Sequence, residues 1–152
     1  MSNTLKPKLA DAVKAAMRAK DSARLGTLRF LQAAIKQKEV DDRRELDDAA
    51  VLAIIEKQVK QRRESIAAFE QAGRSETAAQ EKAELAVLQE FLPQAASPQE
   101  LEAAITAAIA EVQAQGVSGA PAMGKVMALI KTRLAGRADM SAVSAQVKSR
   151  LA

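Results

Sequence analysis

The chain contains no cysteine and no histidine among its 152 residues. Their absence excludes a Cys/His zinc site, a Ser-His-Asp triad, a Cys-His pair and any disulfide framework. The catalytic groups left are Asp, Glu, Lys, Ser and Thr, and neither a glycine-rich phosphate loop nor a carboxylate cluster with metal-site spacing accompanies them. No independent catalysis, no metal and no cofactor are expected. Tryptophan and tyrosine are missing too, and Phe30, Phe69 and Phe91 make up the whole 2 % aromatic content. With no stacking platform, any RNA recognition is expected to work through shape and backbone charge. No apolar run reaches the roughly 18 residues of a membrane span, and the N-terminus lacks the apolar core of a signal peptide. We therefore expect no membrane association and a cytoplasmic location.

What is present favours helix. Alanine, leucine, glutamate, lysine, arginine and glutamine dominate, and six glycines and four prolines leave long uninterrupted stretches, so the fold class is expected to be all-α. A first helix is predicted from about Thr4 to Lys20, with Leu5, Leu9, Val13 and Met17 on one face. Asp21 or Ser22 caps a second helix built on Leu25, Leu28, Leu31 and Ile35, with Arg24, Arg29, Lys36 and Lys38 on its other surface. Up to Lys38 nine basic residues oppose two acids, a net charge of +7. Residues 39–48 reverse the sign, with six acids against two arginines, and predict an acidic turn. Asp47 or Asp48 should cap a third helix that reaches about Ala72, where Gly73 supplies the stop.

In that third helix Leu52, Ile55, Val59, Arg62, Ile66 and Phe69 alternate at three and four residues, a coiled-coil-like seam broken by Arg62. Either the arginine stem packs along the seam while its head snorkels or meets an acid, or it contacts an anion or partner. Arg29, Lys60, Arg62 and Arg63 are the candidates for such contact. Ser75 should cap a fourth helix carrying Leu85, Leu88, Phe91 and Leu92, ended by Pro93. Residues 1–93 are thus expected to form a helical domain with a long helical hairpin.

Ser97-Pro98-Gln99-Glu100 joins an N-cap, a first-turn proline and a capping-box acid. It opens a second domain, 97–152, expected to be a three-helix bundle. Its first helix presents Leu101, Ile105, Ile109 and Val112 and stops before Gly116. Met123, Met127, Ile130 and Leu134 mark the second, closed by Gly136. Asp139 caps the third, which carries Met140, Val143, Val147 and Leu151. Gly124 lies inside a helix at a cost of about 1 kcal/mol, which close helix packing, or else backbone approach to a ligand, would offset. From Met123 onward six basic residues face one acid, a net charge of +5. Glu100, Glu102 and Glu111 are the only charges of the first helix, so one acidic and one basic side are expected. Lys125, Lys131, Arg133, Arg137 and Lys148 are the candidate phosphate contacts.

The run Met123-Gly-Lys-Val-Met, a basic helix, Gly136-Arg-Ala-Asp and valines spaced toward Leu151 resembles the C-terminal motif of the GatB/YqeY family. Met140 stands where that motif usually has glycine. Leu25-Gly-Thr-Leu-Arg29, Lys60-Gln-Arg-Arg-Glu-Ser65 and Ala72-Gly-Arg74 resemble recurrent features of the YqeY-like N-terminal part. The resemblance covers nearly the whole chain for YqeY-like proteins, but only Ser97 to Leu151 for the tail of the tRNA amidotransferase B subunit. It implies a non-catalytic tRNA-associated module, with tRNA as partner and no DNA. The alternatives are a helical protein-interaction adaptor that uses the third helix, or an accessory subunit joined to a protein partner in glutamine-dependent tRNA amidation, a carbon-nitrogen ligase activity.

Overall fold

Alanine- and leucine-rich segments, punctuated by caps and glycine stops, become helices throughout the computed structural model, which describes residues 2–151. Among these residues are seven α-helices and no strand: α1 (Leu5–Arg18), α2 (Ser22–Asp42), α3 (Asp48–Gln71), α4 (Ser75–Gln89), α5 (Pro98–Ala114), α6 (Ala120–Arg133) and α7 (Met140–Leu151). The all-α expectation holds. The chain divides at the Leu92–Pro93 bond into two compact units, each with its own apolar cluster.

In the first unit α1 and α2 form one antiparallel pair and α3 and α4 a helical hairpin. The α1–α2 turn closes at Lys20, whose φ of 56° is left-handed. Asp21 then caps α2 by accepting from the Arg24 amide at 3.1 Å. Leu9, Val13 and Ala16 enter the core, whereas Met17, expected inward, is 52 % exposed. The last turn of α1 thus buries the small side chain and leaves the long one at the surface.

Residues 39–42, expected to lie in an acidic turn, continue α2 instead. Their charges are matched within the helix and across to α1. Lys38 pairs with Asp42 at 3.3 Å, Gln37 donates to Asp41 at 2.9 Å, and Lys6 of α1 reaches Glu39 at 2.6 Å. The helix ends at Arg43, again in a left-handed conformation. Asp47 caps α3 through the Ala50 amide at 3.0 Å. Along α3 the core residues are Val51, Ile55, Gln58, Val59 and Ile66, so Val51 occupies the place expected of Leu52. Of the phenylalanines, Phe91 is buried, Phe69 is partly buried, and Phe30 is 59 % exposed.

The second unit opens with the predicted capping box: Ser97 Oγ accepts from the Glu100 amide at 3.1 Å, and the Glu100 carboxylate returns to the Ser97 amide. Ile105, Ala108, Ile109 and Val112 of α5 pack against Ala122, Val126 and Ile130 of α6, Leu134, and Val143 and Val147 of α7. Gly136, at φ 74°, carries the chain out of α6, and Asp139 Oδ1 accepts from the Ser141 amide at 3.0 Å at the start of α7.

Candidate functional site

The six cations of the second unit separate by residue type. Every arginine turns to a glutamate of α5. Arg133 meets Glu111 with 2.8 and 2.5 Å contacts, Arg137 pairs with Glu100, and Arg150 reaches Glu102 at 3.2 Å and Thr106 at 2.9 Å. The hydrogen bond from Arg133 holds the Glu111 carboxyl below its ordinary range. The one from Arg137, aided by the Ser97 amide, does the same for Glu100. A planar fork of donors suits such two-point contacts better than an ammonium does. The acidic and basic sides expected as separate surfaces are therefore joined by ion pairs along α5.

Arg137 has further work inside the unit. Its Nε donates to the Gln94 carbonyl at 2.9 Å, and its own carbonyl accepts from the Ala96 amide at 2.8 Å. In the Gly136-Arg137-Ala138-Asp139 run, the glycine turns the chain after the Leu134 C-cap of α6, the arginine ties down residues 94–96, and the aspartate caps α7.

Lys125, Lys131 and Lys148 remain exposed, and among the described residues none has an ion-pair partner. Lys125 and Lys131 stand on the outer side of α6 together with the solvent-facing Gly124 and Ala128, one turn apart, with Lys131 continuing their line and Lys125 to one side of it. A Cβ placed on Gly124 would meet nothing within 4 Å. This corrects the expectation that close helix packing demands the glycine. Lys148 sits on α7 beside the buried Val147. The open line of α6 can accept a close backbone, with Lys131 at its end and Lys125 beside it, a geometry suited to phosphate contact.

The candidates in the first unit do not form one site. Arg62 lies between Glu81 and Glu84 of α4, 3.5 Å from Glu81, with its guanidinium over the Phe30 ring at 5.8 Å. Its side chain is 15 % exposed, so it joins helices and does not project outward. Arg29 of α2 approaches the Met17 thioether at 3.8 Å. Lys60 and Arg63, one turn apart, are exposed on α3 and have no ion pair among the described residues.

Sequence reasoning offered Asp48 only as an alternative cap for α3 and missed its role at α1. This residue starts α3, and its carboxylate accepts from the Thr4 and Leu5 amides, both at 2.9 Å, from Thr4 Oγ1 at 2.7 Å and from Ser2 Oγ. It caps a helix more than forty residues away in sequence. Desolvation pushes its pKa up, but the hydrogen bonds from Ser2, Leu5 and Thr4 outweigh that and bring it down to about 2. The sequence carried no signal for it, because threonine is itself a usual N-cap residue; only the folded chain shows that Thr4 makes no side-chain cap and that the first amides of α1 find their acceptor elsewhere.

Among the described residues no group of His, Cys, Asp and Glu could hold a metal ion, and no helix is long and apolar enough to cross a membrane. A groove of about 250 Å³ in the first unit lies between Lys6, Leu9, Gln32, Ile35, Lys36 and Glu39. Its one carboxylate is already bound to Lys6 and to the Leu46 amide.

Sequence comparison finds relatives over nearly the full length of the chain. The chain is 37 % identical over 143 residues to "Altered inheritance of mitochondria protein 41, mitochondrial" of Eremothecium gossypii, covering 92 % of this chain and 76 % of that protein. It is 31 % identical over 133 residues to the protein of the same name in Pyrenophora tritici-repentis, covering 86 % and 74 %. These names overturn the cytoplasmic expectation. Neither a lack of cysteine nor a lack of long apolar stretches says which compartment a chain occupies. The family model described as "Yqey-like protein" matches residues 6–151, and the chain belongs to that family.

Proposed function

We propose that the chain is a non-catalytic, tRNA-associated module, similar in its second unit to the tail of the tRNA amidotransferase B subunit. In this reading Lys125, Lys131 and Lys148 contact the RNA backbone. One observation carries it: the arginines of the second unit are neutralised by α5, whereas its three lysines stay exposed and unpaired. The open ridge at Gly124 supports it, because a helical glycine that nothing in the unit requires suits close approach by a phosphate backbone. With arginine contacts used inside the unit and no aromatic in it, base reading is not part of the proposal. Recognition is by folded shape and phosphate charge.

The test is binding of labelled bulk tRNA across a salt series. The intact chain should bind with a negative log–log slope. A Lys125→Glu, Lys131→Glu, Lys148→Glu variant should bind at least about tenfold more weakly at ~0.15 M salt and have a slope shallower by roughly 2 to 3, the scale set by three lost phosphate contacts. Arg133→Gln should lower stability more than affinity. If the intact chain fails to bind even at low salt, or if the triple variant binds equally well, the proposal is refuted.

A further inference from the structure

The outer face of α2 belongs to no core. Phe30 is 59 % exposed and Val40 60 %, and α1 adds Met17 at 52 %. These are the large hydrophobic side chains that the described residues leave at the surface. Gly26, Phe30, Ala33 and Val40 recur at helical spacing along this face, and a Cβ on Gly26 would meet nothing within 4 Å. A glycine in a helix interior weakens it relative to alanine, and the unit's own packing does not require one here. Phe30 stands on one side of the low Gly26–Ala33 ridge with Arg62 over its ring. On the other side Met17 is held against Arg29. Arg29 and Lys36, two turns apart on the same edge, form no ion pair among the described residues, although Lys36 is close enough to Glu39 to help hold its carboxyl below the ordinary range.

We propose that this face docks a helix of another protein, one that carries an apolar stripe and an acidic edge. The ridge admits the partner's backbone, Phe30 and Met17 grip its apolar side chains from either side, and Arg29 and Lys36 meet its carboxylates. Charge selects this occupant. A second copy of the chain would set the same cationic edge against itself, which costs affinity. A nucleic acid would satisfy Arg29 and Lys36 but gain little from a thioether, a valine and a ring already covered on one face. The site lies in the first unit and is independent of the lysines assigned to RNA.

The experiment uses the full chain and three designed helical peptides. The first carries a leucine stripe flanked by glutamates, the second the same stripe flanked by lysines, and the third the glutamate composition with the stripe scrambled. Binding is read by fluorescence anisotropy and mapped by amide chemical shifts. The glutamate-flanked peptide should bind and shift Gly26, Phe30 and Ala33, and the other two should not. Phe30→Ser should weaken binding at least tenfold. Gly26→Gln should do the same while raising the thermal midpoint, a divergence that a purely structural role for Gly26 would not produce. Equal binding of the lysine-flanked peptide, unchanged binding by Gly26→Gln, or no binding at all would overturn the proposal. Displacement of the peptide by bulk tRNA, with tRNA affinity itself lost in Phe30→Ser, would overturn it by making the face an RNA site.

Discussion

Gln58 and Arg62, one turn apart on α3, are where the core of the first unit is least well satisfied. Gln58 is 6 % exposed, and neither its Oε1 nor Arg62 Nε has a hydrogen-bond partner among the described residues. A buried polar atom without a partner costs about 1 to 3 kcal/mol. Gln58→Met, which keeps the volume and removes the orphan, should therefore stabilise the chain by about 1 kcal/mol in urea unfolding. Arg62→Ala should do the opposite. It leaves Glu81 and Glu84 facing each other without their cation and strips a packed stem, for a loss of about 2 kcal/mol given the partial exposure of the pair. The sequence showed Arg62 interrupting an apolar seam, and an acid partner was one of the two readings. It could not show which acids, because Glu81 and Glu84 come into reach only when α4 folds back along α3. Gln58 gave no signal, since it falls outside the 3-4 pattern that picked the core.

At the scale of helices, termini were more legible than faces. Asp21, Asp47, Ser97 and Asp139 cap where their spacing from the next apolar residue indicates, because a cap is a local matter of one side chain and one turn, whereas Ser75, expected to cap α4, is its first residue and follows an Arg74 N-cap without a side-chain bond. Faces shift by a residue, as in Val51 for Leu52 and Ala16 for Met17, since which of two adjacent apolar residues goes inward depends on the helix opposite. Asp48 is the nonlocal case. Its carboxyl lies below the ordinary range in the folded chain, so the stability it contributes is fully present above its ordinary pKa near 4 and is lost as pH falls through about 2. With Asp48 half-buried, solvent screening reduces that contribution to ~1 kcal/mol. Asp48→Asn should remove it, and an acid titration followed by circular dichroism should show the parent's advantage vanishing between about pH 4 and 2. Hydrogen exchange at the Thr4 and Leu5 amides should speed up in the same variant at neutral pH, while that at Ala50, capped by Asp47, should not.

Across the whole molecule, two apolar clusters with no residue in common imply two separable folding units. A fragment comprising residues 93–152 should keep its helical circular dichroism and a cooperative melt, though with the modest stability of a chain that short. The +5 balance of residues 123–152 was plain in the sequence. The neutralisation of half its cations by α5 was not, because Arg133 and Glu111 or Arg137 and Glu100 are separated by 22 and 37 positions. The split between residue types has a consequence of its own. Acetylation acts on lysine amines and leaves guanidinium groups alone, so mild acetylation of this fragment would erase its outward charge while sparing the three arginine clamps. Its melting curve should hardly move while the polyanion binding proposed for its lysines is lost, which makes the surface of this unit chemically rewritable without touching its interior.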